Sequence, residues 1–172
     1  MRTILCSAIT IMAVSASVAT AEMKFGYINS EAIFAEYEGT KEAQSKFNNE
    51  VAKWEQEATK KQQEIKNLKD QIDKQSLLLS AERKKTLEDS LNQKMVDYQK
   101  FLQENFGQEG RALKKNEELT KPIIEKINKI IEKIAKEENY DFIFDARAGG
   151  IVYAKKVYDL NQRVLEALSK EK

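Results

Sequence analysis

Acidic and basic side chains dominate this sequence, and their spacing decides what chemistry they could do. Asp and Glu number 28 and Lys and Arg 29; histidine is absent, and the single cysteine is Cys6. Two carboxylates held together can act as general acid and base. Here the carboxylates stand among lysines at helical spacing, the pattern of solvated helix faces joined by i,i+4 ion pairs. A Cys/His zinc site and a histidine base are excluded by composition. No glycine loop that would cradle a phosphate is present, nor a dinucleotide fingerprint. The sequence therefore predicts no catalytic residue, no metal site and no cofactor: a protein that is not an enzyme. Its function must lie in surfaces, and the elements that present them come next.

The first 21 residues read as an address. Arg2 supplies a positive start, Ile4 to Val18 are apolar, and Ala19-Thr20-Ala21 has the small-x-small form of a cleavage site. The apolar run is too short to span a membrane. A signal peptide over 1–21, cleaved after Ala21, is expected; a retained anchor is the alternative. Cys6 lies before the apolar run, the wrong end for a lipid-modified cysteine. Cleavage would remove Arg2 as the only charge, leaving 28 basic against 28 acidic residues, and no thiol nucleophile. A near-neutral mature chain argues against nucleic acid and other polyanions as partners. An oxidising compartment without a disulfide means stability from packing.

From about Thr40 to Lys121 there is no proline. Phe47, Val51, Trp54, Ala58, Ile65, Leu68, Ile72 and Leu79 fall on alternating four- and three-residue steps, a coiled-coil seam. Past Leu79 the same register meets only polar residues. A new stripe begins at Leu87 and runs through Leu91, Met95, Tyr98, Leu102, Phe106 and Leu113. Folded back antiparallel, the two stripes pair Phe47 with Leu113, Trp54 with Phe106, Ile65 with Met95 and Ile72 with Leu87. Residues 41–120 therefore read as a helical hairpin arm with its tip near 77–82. Ser80 is expected to cap the returning helix. Leu77 and Leu78 fall off the seam: either they fold over the turn or they touch something else. Gly107 and Gly110 interrupt the returning helix, as close packing against Val51 and Trp54 or as a hinge where the arm leaves its base.

Residues 22–40 and 121–172 read as one body. "MKFGYIN" is a strand; Ser30 is expected to cap a short helix ending at Gly39. Thr120 and Pro122 suggest a helix start or kink. An isoleucine stripe follows from Ile123 to Ile134. "YDFIFDARAGGIVYA" predicts strand, glycine turn at Gly149-Gly150, and strand. Asp159 is expected to cap a last helix. About three short strands are too few to be stable alone, so several chains are expected to share one base.

"KFGYINSEAIF", "PIIEKINKIIEKIAKEENYDFIFDA" and "YDLNQRVLEAL", with the leader and the long hairpin between, resemble the Skp (OmpH-like) family of periplasmic chaperones over essentially all of the mature chain. The resemblance implies a mainly α fold with a small β body (α+β), in which long antiparallel coiled-coil hairpin arms stand on a β-rich trimerisation base as a jellyfish-like homotrimer. It implies an ATP-independent holdase of the periplasm of a Gram-negative envelope. Its partners would be unfolded outer-membrane proteins, held between the arms and delivered for insertion. The near-neutral mature charge departs from a basic family member and speaks against lipopolysaccharide or phospholipid contact.

Expected client-binding residues are the apolar ones off the seam: Leu77, Leu78 and Phe101. Phe25, Tyr27, Phe142, Phe144, Ile151 and Tyr153 are expected in the trimer body, Gly107 and Gly110 at the arm hinge. Two other classes fit a secreted coiled coil: a structural spacer of the cell envelope, and a module binding a folded partner or lipid.

Overall fold

The computed structural model describes residues 22–171; the expected leader, with Cys6, lies outside them. Two strands and five α-helices follow one another: β1 (Phe25–Ile28), α1 (Ser30–Glu36), α2 (Glu38–Gln75), α3 (Ala81–Phe106), α4 (Arg111–Glu137), β2 (Phe142–Asp145) and α5 (Asn161–Lys170). The fold is mainly α with a small β body, as expected.

β1 and β2 come from opposite ends of the chain and pair in parallel, Phe25 opposite Phe142 and Ile28 opposite Asp145. Alternation along the strands divides their faces. Gly26 and Ile28 turn inward, where a Cβ on Gly26 would lie 2.6 Å from Cδ1 of Leu160. Phe25, Phe142 and Phe144 turn outward. The inner face rests on a core of Ile28, Ile33, Ile127, Ile130, Ile134, Leu160, Val164 and Leu168. The isoleucine stripe of α4 supplies three of these at steps of three and four. Asn139 ends α4 with a left-handed backbone (φ 55°), a conformation asparagine tolerates.

Short polar side chains tie the two ends together. Asp145, the last residue of β2, accepts from the Ser30 amide (3.1 Å) and the Ser30 hydroxyl (2.6 Å) at the start of α1. Asn161 Oδ1 accepts from the Asn29 amide at 2.7 Å. The cap of α1 is Asn29, whose Oδ1 accepts from the Ala32 amide. Ser30 was expected there; it is instead the first helical residue, because the adjacent asparagine takes the capping geometry and frees the serine to hold Asp145. Asp159 accepts from the Asn161 amide at the start of α5, one residue beyond the Leu160 cap.

Three other expectations are corrected. α1 ends at Glu36, and Gly39 lies within α2, where its missing side chain makes room for the Tyr37 ring. Of the helix start or kink expected at Thr120 and Pro122, the start is overturned: the helix begins at Arg111 and runs on through Pro122. The strand after Gly149-Gly150 is absent. Gly149 does turn the chain (φ 79°), but Ile151 to Tyr153 pair with no strand among the described residues. Strand-forming residues make no ladder without an edge to join.

Ile130 is 2% exposed and Val96 61%. Ile130→Ala is expected to remove about 2–5 kcal/mol of stability, against within about 0.5 kcal/mol for Val96→Ala, measured by urea unfolding at fixed protein concentration. Burial by itself would raise the Asp145 carboxyl, but the hydrogen bonds from Ser30 and Arg147 and the Arg147 charge outweigh it and hold the group below its ordinary range. A depressed folded-state value means stability that is present above the unfolded value, near 3.8, and lost as pH falls below it. Asp145→Asn should flatten the stability–pH curve in that acid window; an unchanged curve would assign the acid sensitivity to other groups.

Candidate functional site

The arm is built on the register read from the sequence. Trp54 of α2 meets Phe106 edge-on, with ring centroids 6.4 Å apart. Lys94 of α3 reaches Glu64 of α2 at 2.8 Å, and this hydrogen bond, then the charge behind it, lowers the Glu64 carboxyl. Ser80 caps α3 as expected, its hydroxyl accepting from the Arg83 amide.

Two helices cannot enclose a seam as a bundle does. Ile72 and Leu87, near the tip, are buried; most other seam residues are only half-buried, and Met95, Phe106 and Leu113 stay 41–49% exposed. The arm thus carries a broken apolar stripe along its length and offers weak apolar contact in many places.

The expected contact residues differ among themselves. Leu77 and Leu78 are 98% and 88% exposed. They form the turn between α2 and α3 without folding over it, so the closing role is not theirs; Leu79 is half-buried beside them. Phe101 is half-buried, with the Lys61 ammonium 5.2 Å from its ring centroid. The three are not brought together: two stand at the tip and one on the flank.

The expected body residues do converge. Phe25, Phe142 and Phe144 stack on the outer face of the two strands, with ring centroids 5.8–6.3 Å apart, and all three remain 42–52% exposed. Tyr27 is half-buried on the same face; desolvation first, then the charge and hydrogen bond of Asp159, raise its phenol above the ordinary value. Ile151 and Tyr153 line a neighbouring hollow of about 760 Å³ with Phe144, Asp145 and Val152. Val152 is 100% and Tyr153 83% exposed. The exposure of Val152 carried no separate signal in the sequence, because "IVY" reads equally as a buried strand.

Gly107 and Gly110 bound a four-residue break between α3 and α4, the first closing α3 and the second opening α4. A Cβ on Gly107 would strike the Gln103 carbonyl, and one on Gly110 would lie 2.7 Å from the Asn105 carbonyl. A side chain at either position would meet the end of α3, because the chain turns tightly there. Among the described residues there is no cluster of His, Cys, Asp and Glu fit to hold a metal, and no helix long and apolar enough to cross a membrane.

A family model described as outer membrane protein (OmpH-like) matches residues 24–168. The crystal structure of a Caulobacter crescentus protein, provisionally assigned as an OmpH-like outer membrane chaperone, superposes with a TM-score of 0.79 at 13% identity. It covers 88% of this chain, which covers 87% of it. At that identity the likeness is one of fold. No curated protein matches the chain.

Because Leu77 and Leu78 touch almost nothing, the double substitution Leu77→Ser/Leu78→Ser is expected to shift stability by no more than about 0.5 kcal/mol. Ile72→Ala, one turn away in the closed seam, should cost about 2–5 kcal/mol. Comparable losses in thermal unfolding would mean that the tip leucines are packed.

Proposed function

The chain belongs to the OmpH-like family, and on that premise we propose that it is a chaperone that holds unfolded outer-membrane β-barrel proteins in the periplasm without ATP and passes them on for insertion. The observation that carries this reading is the arm: a long, charged hairpin whose apolar residues are left largely uncovered on a body with an open aromatic face. An unfolded barrel strand alternates apolar and polar residues and aggregates through both its apolar face and its edges. Arms bearing many weak apolar contacts would hold such a chain by multivalency rather than by one tight site. Leu77 and Leu78 at the tip and Phe101 on the flank are the contact residues in this reading. Release needs no fuel when the inserted barrel is more stable than the held chain. The role is holding, not catalysis.

The same reading divides the chain into an arm (41–120) and a body (22–40 and 121–172) through which three copies assemble. Two strands are marginal alone, and the uncovered Phe25, Phe142 and Phe144, with Ile151 and Tyr153 beside them and Tyr27 on the same face, favour a shared base. Gly107 and Gly110, expected as a hinge, serve in this reading as the place where the returning side of the arm gives locally around a guest. The near-neutral charge of residues 22–172 gives no bulk attraction to nucleic acid, lipopolysaccharide or phospholipid.

Light scattering on a sizing column, with the chain from Glu22 alone and then with a urea-unfolded barrel diluted into it, tests the proposal. Three chains alone, and three chains plus one barrel that stays clear, are the expected result. Phe142→Ser/Phe144→Ser should lower the mass towards one chain. Leu77→Ser/Leu78→Ser/Phe101→Ser should keep the mass and let turbidity rise. A monomer that leaves the barrel to aggregate would remove the chaperone reading in favour of an envelope spacer.

A further inference from the structure

We propose that the arm yields by local opening of the last turn of α3 around a buried asparagine, while α2 stays whole as its spine. Asn105 is the one polar residue among those described that is buried, at 0% exposure. Its Nδ2 donates to the Phe101 carbonyl at 2.8 Å, within its own helix. Its Oδ1 is shut away from solvent and accepts from no described group. A buried acceptor without a donor favours any conformation that admits water, because hydration returns what burial removed.

The surroundings confine that opening to one place. Gly107 and Gly110 follow at once, and the chain from Gln103 to Gly110 lies against itself so closely that a side chain on either glycine would meet backbone. α3 therefore ends one residue beyond Asn105, and no continuing helix clamps its final turn. On the other side α2 runs unbroken from Glu38 to Gln75. A hairpin with one continuous helix cannot swing at the level of the break without bending that helix, which has no proline there to help it. The free element is the short end of α3. Peeling Leu102–Phe106 from α2 hydrates Oδ1 and turns Phe106 and Trp54, now edge-on at 6.4 Å, towards the outside. This deepens the holding reading: the opened turn adds two aromatic rings to the contact stripe. Its physical claim concerns the chain without any guest.

Trp54 is the only tryptophan and therefore reports the opening. Hydrogen exchange on the chain from Glu22, with acrylamide quenching of Trp54, tests it. Amides of 102–111 are expected to exchange faster than those of 47–58 on the facing helix. Asn105→Leu, which removes the orphan acceptor, should slow exchange over 102–111 by roughly tenfold and reduce quenching, leaving 47–58 unchanged. Asn105→Ala gives the same comparison should the leucine not fit. Equal protection of the two segments in the unsubstituted chain overturns the inference. So does slowing spread evenly along the arm, or none. Failure to hold a barrel would count against the chaperone reading and leave this result standing.

Discussion

The parallel pairing of β1 with β2 is the constraint on which the rest depends. Parallel strands cannot be joined by a tight turn; they need a crossover long enough to bring the chain back to the starting end. Here the crossover is the arm itself together with α1 and α4, everything between Ile28 and Phe142. Because both strands must enter the sheet in the same direction, the arm has to leave the body and come back to it. The Asp145–Ser30 and Asn29–Asn161 hydrogen bonds then hold the two chain ends in register. The isoleucines of α4 bury the inner face of the strands and leave the outer face with its three phenylalanines.

The arm and the body solve the problem of burial differently. The body packs helices on a sheet and reaches near-complete burial of eight apolar residues. The arm has only two helices side by side, so away from the tip most seam residues are covered on one flank and open on the other. Such a seam is held by local contacts and opens more readily than a core. In the proposed holding role, incomplete burial is what would make the surface available.

Much of this was legible in the sequence because it rests on periodicity. The shift from one apolar stripe to another near Leu79 located the tip, and the pairing of the stripes placed Trp54 opposite Phe106. The two glycines marked the break. What remained hidden depended on partners far along the chain. Asn29 and Ser30 are both good capping residues, and only Asp145 decides which of them caps. "IVYA" has every mark of a strand, but an edge to join is a property of the assembled sheet. Asn105 sits between Leu102 and Phe106 and reads as a surface residue until the break folds Gly110 over its backbone.

The long crossover also orders the events of folding. β1 leaves the ribosome before any of its partners and has nothing to pair with until Phe142–Asp145 has been made. Closing so long a loop from an unstructured chain carries a heavy entropic penalty, which contact order translates into slow folding. The hairpin shortens that search. Its contacts are local about the tip, so α2 and α3 can zip together from Leu79 outward. Once they have done so, the far ends of the arm stand side by side and the two strands are already neighbours. The arm is then the template on which its own base is closed.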